Sequence, residues 1–224
     1  MKNSLLIGIT LAFVVSCKST STVVTDDVTD DVTENLSGAY SPVLDQSKAI
    51  FLFNGKDLSG WKVHGTEQWY VEDGLLVCEN GVDNTFGYLS TVKHYKDFEL
   101  TLEYKQEKRG NSGIFVRSTV KGNKATGWQV EIAPPGHKAG GINAYKSGWL
   151  VKPDSAKDAV IKMGEWNEMK IQVKGSSITS WLNGTQMVTV NRSEIEKGEG
   201  GISLQIHGEN ETKVKWRHIR LVEL

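Results

Sequence analysis

The sequence has 224 residues, with 26 Lys and Arg against 27 Asp and Glu, and its formal net charge is −1. This near-neutral balance, without a basic stripe along the sequence, gives no reason to expect nucleic acid as a partner. Glycine is abundant, at 23 residues, and proline is scarce, at 4, which suits a chain with many tight turns.

The beginning of the sequence has the pattern of an export signal. A short basic start precedes an apolar run from Leu5 to Val15, which is too short to span a bilayer because a span takes about 20 apolar residues. The run ends next to Cys17 in a sequence that resembles a bacterial lipoprotein cleavage box. We therefore expect a signal peptide at residues 1–16 and a lipid anchor at Cys17, which would hold the protein in the cell envelope without a membrane span. An ordinary signal peptide is the alternative.

Residues 17–47 are predicted to form a flexible tether. Ser, Thr and Asp dominate this segment, and the sequence Asp-Asp-Val-Thr occurs at 26–29 and again at 30–33. Such a segment cannot bury enough apolar surface to offset the entropy of ordering it, so we expect disorder. Residues 48–224 are then predicted to form one domain. The sequence gives no indication of its oligomeric state.

The body of the chain reads as about a dozen short strands. Apolar and polar residues alternate strictly from Phe98 to Lys105, and the pairs at 73–74 and 183–184 are Asp-Gly and Asn-Gly, the preferred residues of hairpin turns. No stretch holds a helical apolar period over three turns. The pattern predicts an all-β fold, a β-sandwich or jelly roll, with Cys78 as a buried core residue.

Two central strands, 111–117 and 127–132, suggest where the function lies. Side chains alternate faces along a strand, so Ile114 and Val116 face the core while Arg117 shares the opposite face with polar residues of the next strand. Pooling the polar faces of the strands gives six candidates: Glu103, Arg117, Gln129, Glu131, Gln205 and His207. Carboxylate, guanidinium, amide and imidazole groups together suit a hydroxyl-rich ligand such as a sugar. The alternative is a solvated sheet face with salt bridges.

A long loop is predicted between Pro134 and Leu150. Loops of this length inside a compact domain are usually functional or disordered. His137 is either a ligand contact or a solvated loop residue, and Trp149 either stacks on a sugar ring or anchors the loop. No group of His, Cys and Asp residues has the spacing of metal ligands, so we expect neither a metal nor another cofactor.

Seven segments together resemble the 3-keto-disaccharide hydrolase domain family. They cover nearly all of the body in family order, and they are LFNGKDLSGW (52–61), DFEL (97–100), NSGIFVR (111–117), GWQVEI (127–132), GEWN (164–167), LNG (182–184) and ISLQIHG (202–208). The resemblance implies a concanavalin A-like (LamG/jelly-roll) β-sandwich of two antiparallel sheets in a secreted or lipid-anchored bacterial protein. It also implies cleavage of an oligosaccharide or glycoside that has been oxidised at C3 of the sugar.

The implied chemistry begins with a base near C2 of the sugar. A ketone at C3 acidifies the C2 proton, so a base can remove it, the enolate expels the C1 aglycone, and water adds across the enone. For a site of this kind we assign Glu131 or His207 as base and acid, and Arg117 as the group that stabilises the enolate. The expected substrate-binding residues are Glu103, Asn111, Gln129, His137, Tyr145, Trp149 and Gln205.

Two other functions stay open at this level. One is a non-catalytic carbohydrate-binding surface lipoprotein, and the other is a structural surface lipoprotein with a featureless sheet face. The sequence departs from the family pattern after the Glu131 strand, where Ala133 and two prolines stand in place of an Asp found in many relatives. It departs again at Asn143, where many relatives have Tyr. The chain also lacks the Glu-x-Asp-x-x-Glu strand of ordinary retaining glucanases, which argues against a two-carboxylate mechanism.

Overall fold

The computed structural model describes residues 45–83, 85–144, 147–196, 198–208 and 211–224. The expected signal peptide, Cys17 and most of the tether lie outside the described residues, and so does Tyr145. The described residues all belong to the second of two units, which runs from Val43 to Leu224. Its helical segments within the described ranges are two short 3-10 helices, Gln46–Lys48 and Ser155–Val160. No helix of the described residues has the length and hydrophobicity needed to cross a membrane.

The described residues contain fifteen β-strands, which confirms the all-β prediction. In chain order they are β1 (Ile50–Phe51), β2 (Trp61–His64), β3 (Gln68–Glu72), β4 (Leu75–Glu79), β5 (Gly87–Thr91), β6 (Phe98–Gln106), β7 (Ser112–Lys121), β8 (Lys124–Ile132), β9 (Ile142–Ala144), β10 (Gly148–Val151), β11 (Asn167–Lys174), β12 (Ser177–Leu182), β13 (Thr185–Asn191), β14 (Gly201–Ile206) and β15 (Lys213–Glu223). Strands β9 and β10 lie within the segment predicted to be one long loop, so that prediction was wrong over these residues.

Both predicted hairpin turns are present. Asp73 and Gly74 join β3 to β4 with φ of 50° and 77°, and Asn183 and Gly184 join β12 to β13 with φ of 49° and 80°. Positive φ at both central residues matches the right-handed twist of the flanking strands, and Asn-Gly and Asp-Gly adopt it at low cost. These local signals fix the register of the two hairpins.

The strands form two antiparallel sheets. The eight-stranded sheet has the order β13-β12-β11-β6-β15-β4-β3, with β1 paired to the edge of β15 beyond its bulge. The seven-stranded sheet has the order β10-β9-β8-β7-β14-β5-β2. One continuous cluster of buried apolar side chains draws residues from both sheets, including Leu100 and Trp216 from the first and Ile114 and Val130 from the second. The two sheets therefore pack on each other as a sandwich.

Burial follows the alternation read from the sequence. Along β6 every second residue from Phe98 is buried, and the residues between are half-buried. Cys78 lies in the core, and its burial raises the pKa of the thiol to about 12, so the thiol stays protonated and packs as a small apolar group.

Candidate functional site

The side of the seven-stranded sheet that faces away from the core carries most of the predicted site; we call it the polar face. Its central row follows from strand register: Gln205 of β14 lies opposite both Tyr88 of β5 and Gly113 of β7, and Gly113 lies opposite Glu131 of β8. Residues directly opposite each other in an antiparallel sheet project to the same side. The row therefore brings together side chains that are up to 117 positions apart in the chain.

A second row lies beside the first. Ser203 is opposite Phe115, Phe115 is opposite Gln129, Gln129 is opposite Asn143, and Asn143 is opposite Trp149. At the other end of the strands, the backbone N–H of His207 donates to the carbonyl of Asn111 over 3.1 Å, which places these two residues side by side. Seven of the ten predicted site residues thus have neighbouring positions on or at the end of this sheet, and they are Asn111, Gln129, Glu131, His137, Trp149, Gln205 and His207.

Glu131 is the buried carboxylate at the centre of the polar face. It is only 4% exposed, and burial raises its pKa to about 7, although the hydrogen bond from the Asn111 amide opposes that rise. Asn111 donates to Oε1, and Gln129 Nε2 donates to Oε2 over 3.1 Å. A carboxylate that is held on both oxygens and titrates near neutral pH has the properties of a general base.

A chain of amides fixes the orientation of Gln129. Gln129 Nε2 also donates to Gln205 Oε1 over 3.0 Å, and Gln205 Nε2 donates to the hydroxyl of Tyr88 over 3.4 Å. Gly113 makes room for this chain, because a Cβ at that position would lie 2.5 Å from Gln129 Nε2. The amides therefore present fixed donors and acceptors at the floor of the face.

Two clefts open on the polar face on either side of Glu131. The first has a volume of about 300 Å³, and its lining includes Arg109, Asn111, His137 and His207. The second has a volume of about 360 Å³ and is lined by Phe86, Tyr88, Phe115, Asn123, Lys124, Gln129, Asn143 and Gln205. Asn111 lines the first cleft and Gln129 lines the second, and both donate to Glu131, so the carboxylate lies in the floor between them.

Aromatic contacts join the two clefts. The rings of Phe86 and His207 meet edge to face with centroids 4.3 Å apart, and the rings of Tyr88 and Phe115 meet in the same way at 5.7 Å. Phe86 belongs to the second cleft and His207 to the first. The clefts are therefore neighbours, one mainly polar and one with an aromatic wall.

Trp149 anchors its segment, which is one of the two roles considered for it; stacking on a sugar ring stays a prediction. Register puts it on the polar face opposite Asn143, and a Cβ on Gly141 would lie 2.8 Å from its ring. Gly141 in turn accepts a hydrogen bond of 3.0 Å from the backbone N–H of Glu131. The half-buried indole thus covers the backbone beside Glu131 and also anchors this segment.

The prediction that Arg117 shares the polar face with Glu131 was wrong. The β7–β8 and β7–β14 registers both shift near Arg117, whose φ is +45°, so a bulge breaks the alternation from which the prediction was made. Its buried guanidinium donates to Asp97 Oδ1 over 2.7 Å and to the carbonyls of Lys96, Gly175 and Ile195. Arg117 therefore ties together loops at one end of the sandwich.

The predicted placement of Glu103 was wrong for a different reason. Glu103 does face away from the core, but β6 belongs to the eight-stranded sheet. There it accepts from Arg217 Nε over 2.5 Å and lies 3.2 Å from His218 Nδ1. For this residue the alternative of a solvated face with salt bridges is the one that the structure supports.

Several residues of the clefts were missed from the sequence. Alternation from Ile114 and Val116 puts Phe115 on the face opposite the core, and an aromatic ring beside polar groups could have marked it as a sugar contact. Arg109 stands two positions before the predicted site residue Asn111, and this proximity could have marked it as a residue of the same cleft. Phe86 and Tyr88 offered none, because nothing local shows that β5 pairs with β14.

No group of three or more His, Cys, Asp and Glu side chains within the described ranges is arranged to hold a metal ion. The donors around Glu131 are amide N–H groups, which bind anions and carbonyl or hydroxyl oxygens rather than cations.

Comparison with known proteins identifies relatives over most of the chain. The family model described as a 3-keto-alpha-glucoside-1,2-lyase-like domain matches residues 48–222. A protein named 3-keto-disaccharide hydrolase from Bacteroides thetaiotaomicron is 28% identical over 166 residues, which are 62% of this chain and 57% of that protein. The chain therefore spans little more than half the length of this relative.

Solved structures agree on the architecture. A candidate glycosyl hydrolase from Parabacteroides distasonis superposes with a TM-score of 0.60 and 25% identity, over 79% of this chain and all of that chain. A Bacillus subtilis protein with a galectin-like fold superposes with a TM-score of 0.57 at 11% identity, over 74% of this chain and 90% of that chain. The second likeness concerns the fold alone, and it confirms the jelly-roll class predicted from the sequence.

Proposed function

The chain belongs to the family of 3-keto-alpha-glucoside-1,2-lyase-like domains, and from this premise we propose that it cleaves the glycosidic bond of sugars whose C3 hydroxyl has been oxidised to a ketone. The substrate is a 3-keto-disaccharide or another 3-keto-glycoside. Its sugar and its leaving group would occupy the two clefts that adjoin Glu131.

The observation that carries the proposal is the environment of Glu131. The reaction needs a base that is unprotonated at neutral pH and still strong enough to remove a carbon-bound proton. A carboxylate with its ordinary pKa is a weak base, whereas burial raises the pKa of Glu131 to about 7. Catalytic power is greatest when the pKa of the base lies near the working pH.

In the first step Glu131 removes the proton from C2. The electron pair of the C2–H bond moves into the C3 carbonyl and forms an enolate. A cationic or N–H donor is then needed at the C3 oxygen. Since Arg117 lies away from this face, we assign this role to Arg109, an exposed cation in the lining of the cleft that also holds Asn111 and His207.

In the second step the enolate re-forms the ketone and the bond between C1 and the aglycone oxygen breaks. His207 donates a proton to the leaving oxygen, which leaves as an alcohol. Water then adds across the C1–C2 double bond of the enone and gives the free 3-keto sugar. Gln129 and Gln205 hold hydroxyl groups of the sugar, and their own hydrogen bonds limit the orientations they can adopt.

The test is aglycone release from a matched pair of substrates. A nitrophenyl 3-keto-glucoside and the unoxidised glucoside are supplied to the full chain, and nitrophenol is followed by absorbance. We expect release from the 3-keto compound only, a slower rate when C2 carries deuterium, and a loss of about 10²- to 10⁴-fold in Glu131→Gln. Glu168→Gln is the matched control, because Glu168 is exposed on the other sheet. Equal rates in the two variants would refute the assignment of the base.

A second candidate is a carbohydrate-binding protein without turnover. The observation in its favour is that no Asp or Glu is among the described residues that line the two clefts, and that buried Ala133 follows the Glu131 strand where many relatives have an Asp. Binding of the unoxidised glycoside, with no product from either substrate, would favour this function over the enzyme.

We also propose that the protein is held at the cell envelope through a lipid on Cys17. The support is the sequence alone, since the apolar run ends next to that cysteine. Envelope location would suit an enzyme that meets extracellular or periplasmic glycosides.

A further inference from the structure

A third cleft lies on the polar face, next to the second cleft and away from the first. Its volume is about 230 Å³, and its lining includes Lys62, His64, Ser90 and His94. It reaches Gly201 at the start of β14, whereas His207 follows the end of that strand. Six residues of extended chain span about 20 Å, so the third cleft is separate from the first. It adjoins the second, because Tyr88 of β5 lines the second cleft and Ser90 of the same strand lines the third.

The cleft carries positive charge and no negative charge. None of its lining residues in the described part of the chain is Asp or Glu. The side chains of Lys62 and His94 are exposed, and the described residues offer neither of them a hydrogen bond or an ion pair. An exposed ammonium group and an exposed imidazole that share a cleft without an acidic neighbour are available to an external anion.

The imidazole ring of His64 has a fixed orientation in this cleft. Its Nε2 lies 2.8 Å from the hydroxyl of Ser90, which fixes the plane of the half-buried ring. Burial, and then the charge of Lys62, lower the pKa of His64. Lys62 and His64 are two positions apart in β2, so their side chains project to the same side of the sheet and can contact one bound anion.

A Ser–His pair could also suggest nucleophilic catalysis, but the surroundings do not support it. Such a pair needs a carboxylate or similar group that orients the second ring nitrogen of the histidine. The described lining of the cleft supplies one ammonium group, two imidazoles, hydroxyls and apolar groups, but no carboxylate. Binding, rather than covalent chemistry, fits this set.

A small apolar cluster lies between the second and third clefts and links them. Tyr88, Phe115, Ala125 and Val120 form a small cluster on this side of the sheet, separate from the main core. Phe115 lines the second cleft and Val120 lines the third. Tyr88, Phe115 and Ala125 are buried and Val120 is half-buried, so this cluster forms the shared wall of two neighbouring clefts, and a saccharide bound in the second cleft would place a charged substituent in the third.

We propose that the third cleft binds the anionic group of an acidic saccharide, a sulfate, phosphate or carboxylate. Lys62 supplies charge, His94 supplies an imidazole N–H donor, and His64 with Ser90 supplies oriented hydrogen bonds. The saccharide part of this inference rests on the proposed function, whereas the anion part rests on the cleft alone.

The test follows the imidazole proton signals of the full chain by NMR during titration with glucose 6-sulfate, glucose and inorganic sulfate. The sequence has five histidines, so His64→Gln and His94→Gln assign the two signals that matter. We expect glucose 6-sulfate to shift both signals, with binding that weakens as NaCl screens the charges. In Lys62→Ala/His94→Ala we expect the Kd to rise about fivefold or more. Lys174→Ala, which removes an exposed lysine of the other sheet, should keep the original Kd.

The outcomes separate the parts of the proposal. Absence of any shift with glucose 6-sulfate, or an unchanged Kd in the double variant, would overturn the site. Equal shifts with glucose would overturn its selectivity for anions, and equal affinity for inorganic sulfate and glucose 6-sulfate would overturn the saccharide part. None of these readouts needs turnover, so failure of the proposed enzymatic function would be seen separately in the nitrophenol assay.

Discussion

Replacing Glu131 with Gln should lower activity by about 10²- to 10⁴-fold and at the same time stabilise the folded protein above neutral pH. Burial raises the pKa of Glu131 from 4.5 to about 7, which means that the folded state holds this proton more tightly than the unfolded state does. The stability that the group contributes is complete below pH 4.5 and is lost as the pH rises through 7. The Gln side chain carries no charge to desolvate and keeps the shape of the site.

The magnitude follows from the size of the shift. A change from 4.5 to about 7, at 1.36 kcal/mol for each unit of pKa, corresponds to about 3 kcal/mol of unfolding free energy. For a domain of this size that is a rise in Tm of about 6–12 °C. The difference between Glu131→Gln and the wild type should be small at pH 4, grow from pH 4.5 to 7, and stay constant above that.

The assay is urea unfolding followed by tryptophan fluorescence at a series of pH values, together with kcat/KM for the 3-keto substrate. The wild-type kcat/KM should rise with pH to a plateau, with an apparent pKa near 7 from the base. If the variant and the wild type unfold at the same urea concentration from pH 5 to pH 8, the carboxyl is not desolvated in the folded state. The reasoning that makes Glu131 the base would then be refuted.

The other predictions concern separate parts of the molecule. Arg117→Ala should lower the unfolding free energy by about 3 kcal/mol, because it removes a buried guanidinium and leaves half-buried Asp97 and three backbone carbonyls without this donor. The exposed Arg192→Ala should change it by about 0.5 kcal/mol or less, and similar urea midpoints would contradict this. Gly113→Ala should push Gln129 aside and lower kcat/KM about tenfold, with little effect on Tm; full activity would show that the placement of this amide is not critical. Cys17→Ser should abolish incorporation of labelled palmitate in a bacterial host, and a variant that is still labelled would disprove the anchor.

Much of the fold was accessible from the sequence because its signals are local. Asp73-Gly74 and Asn183-Gly184 adopt positive φ as their turn type requires, and the alternation from Phe98 onward appears directly as alternating burial. Each of these patterns is contained within a few residues. The predictions from sequence were correct for these turns and for this strand because the conformation there depends on neighbouring residues.

The errors arose where the deciding interaction is distant. Alternation assigned Glu103 to an outward face correctly, but it carries no information on which of two sheets a strand joins. Arg117 was misplaced because one bulge reverses the alternation, and that bulge is held by partners as far away as Ile195. The raised pKa of Glu131 likewise depends on burial by several strands, which no single stretch of sequence encodes.

The pairing of β1 with β15 bears on how this protein can be handled. Ile50 lies opposite Leu221, so both ends of the described fold meet on the eight-stranded sheet, whereas all three clefts open on the outer side of the other sheet. A resin, label or fusion partner joined near either end of the described fold would therefore lie on the side of the eight-stranded sheet. A form of the protein immobilised in this way should still bind large glycans, because the clefts on the seven-stranded sheet stay accessible.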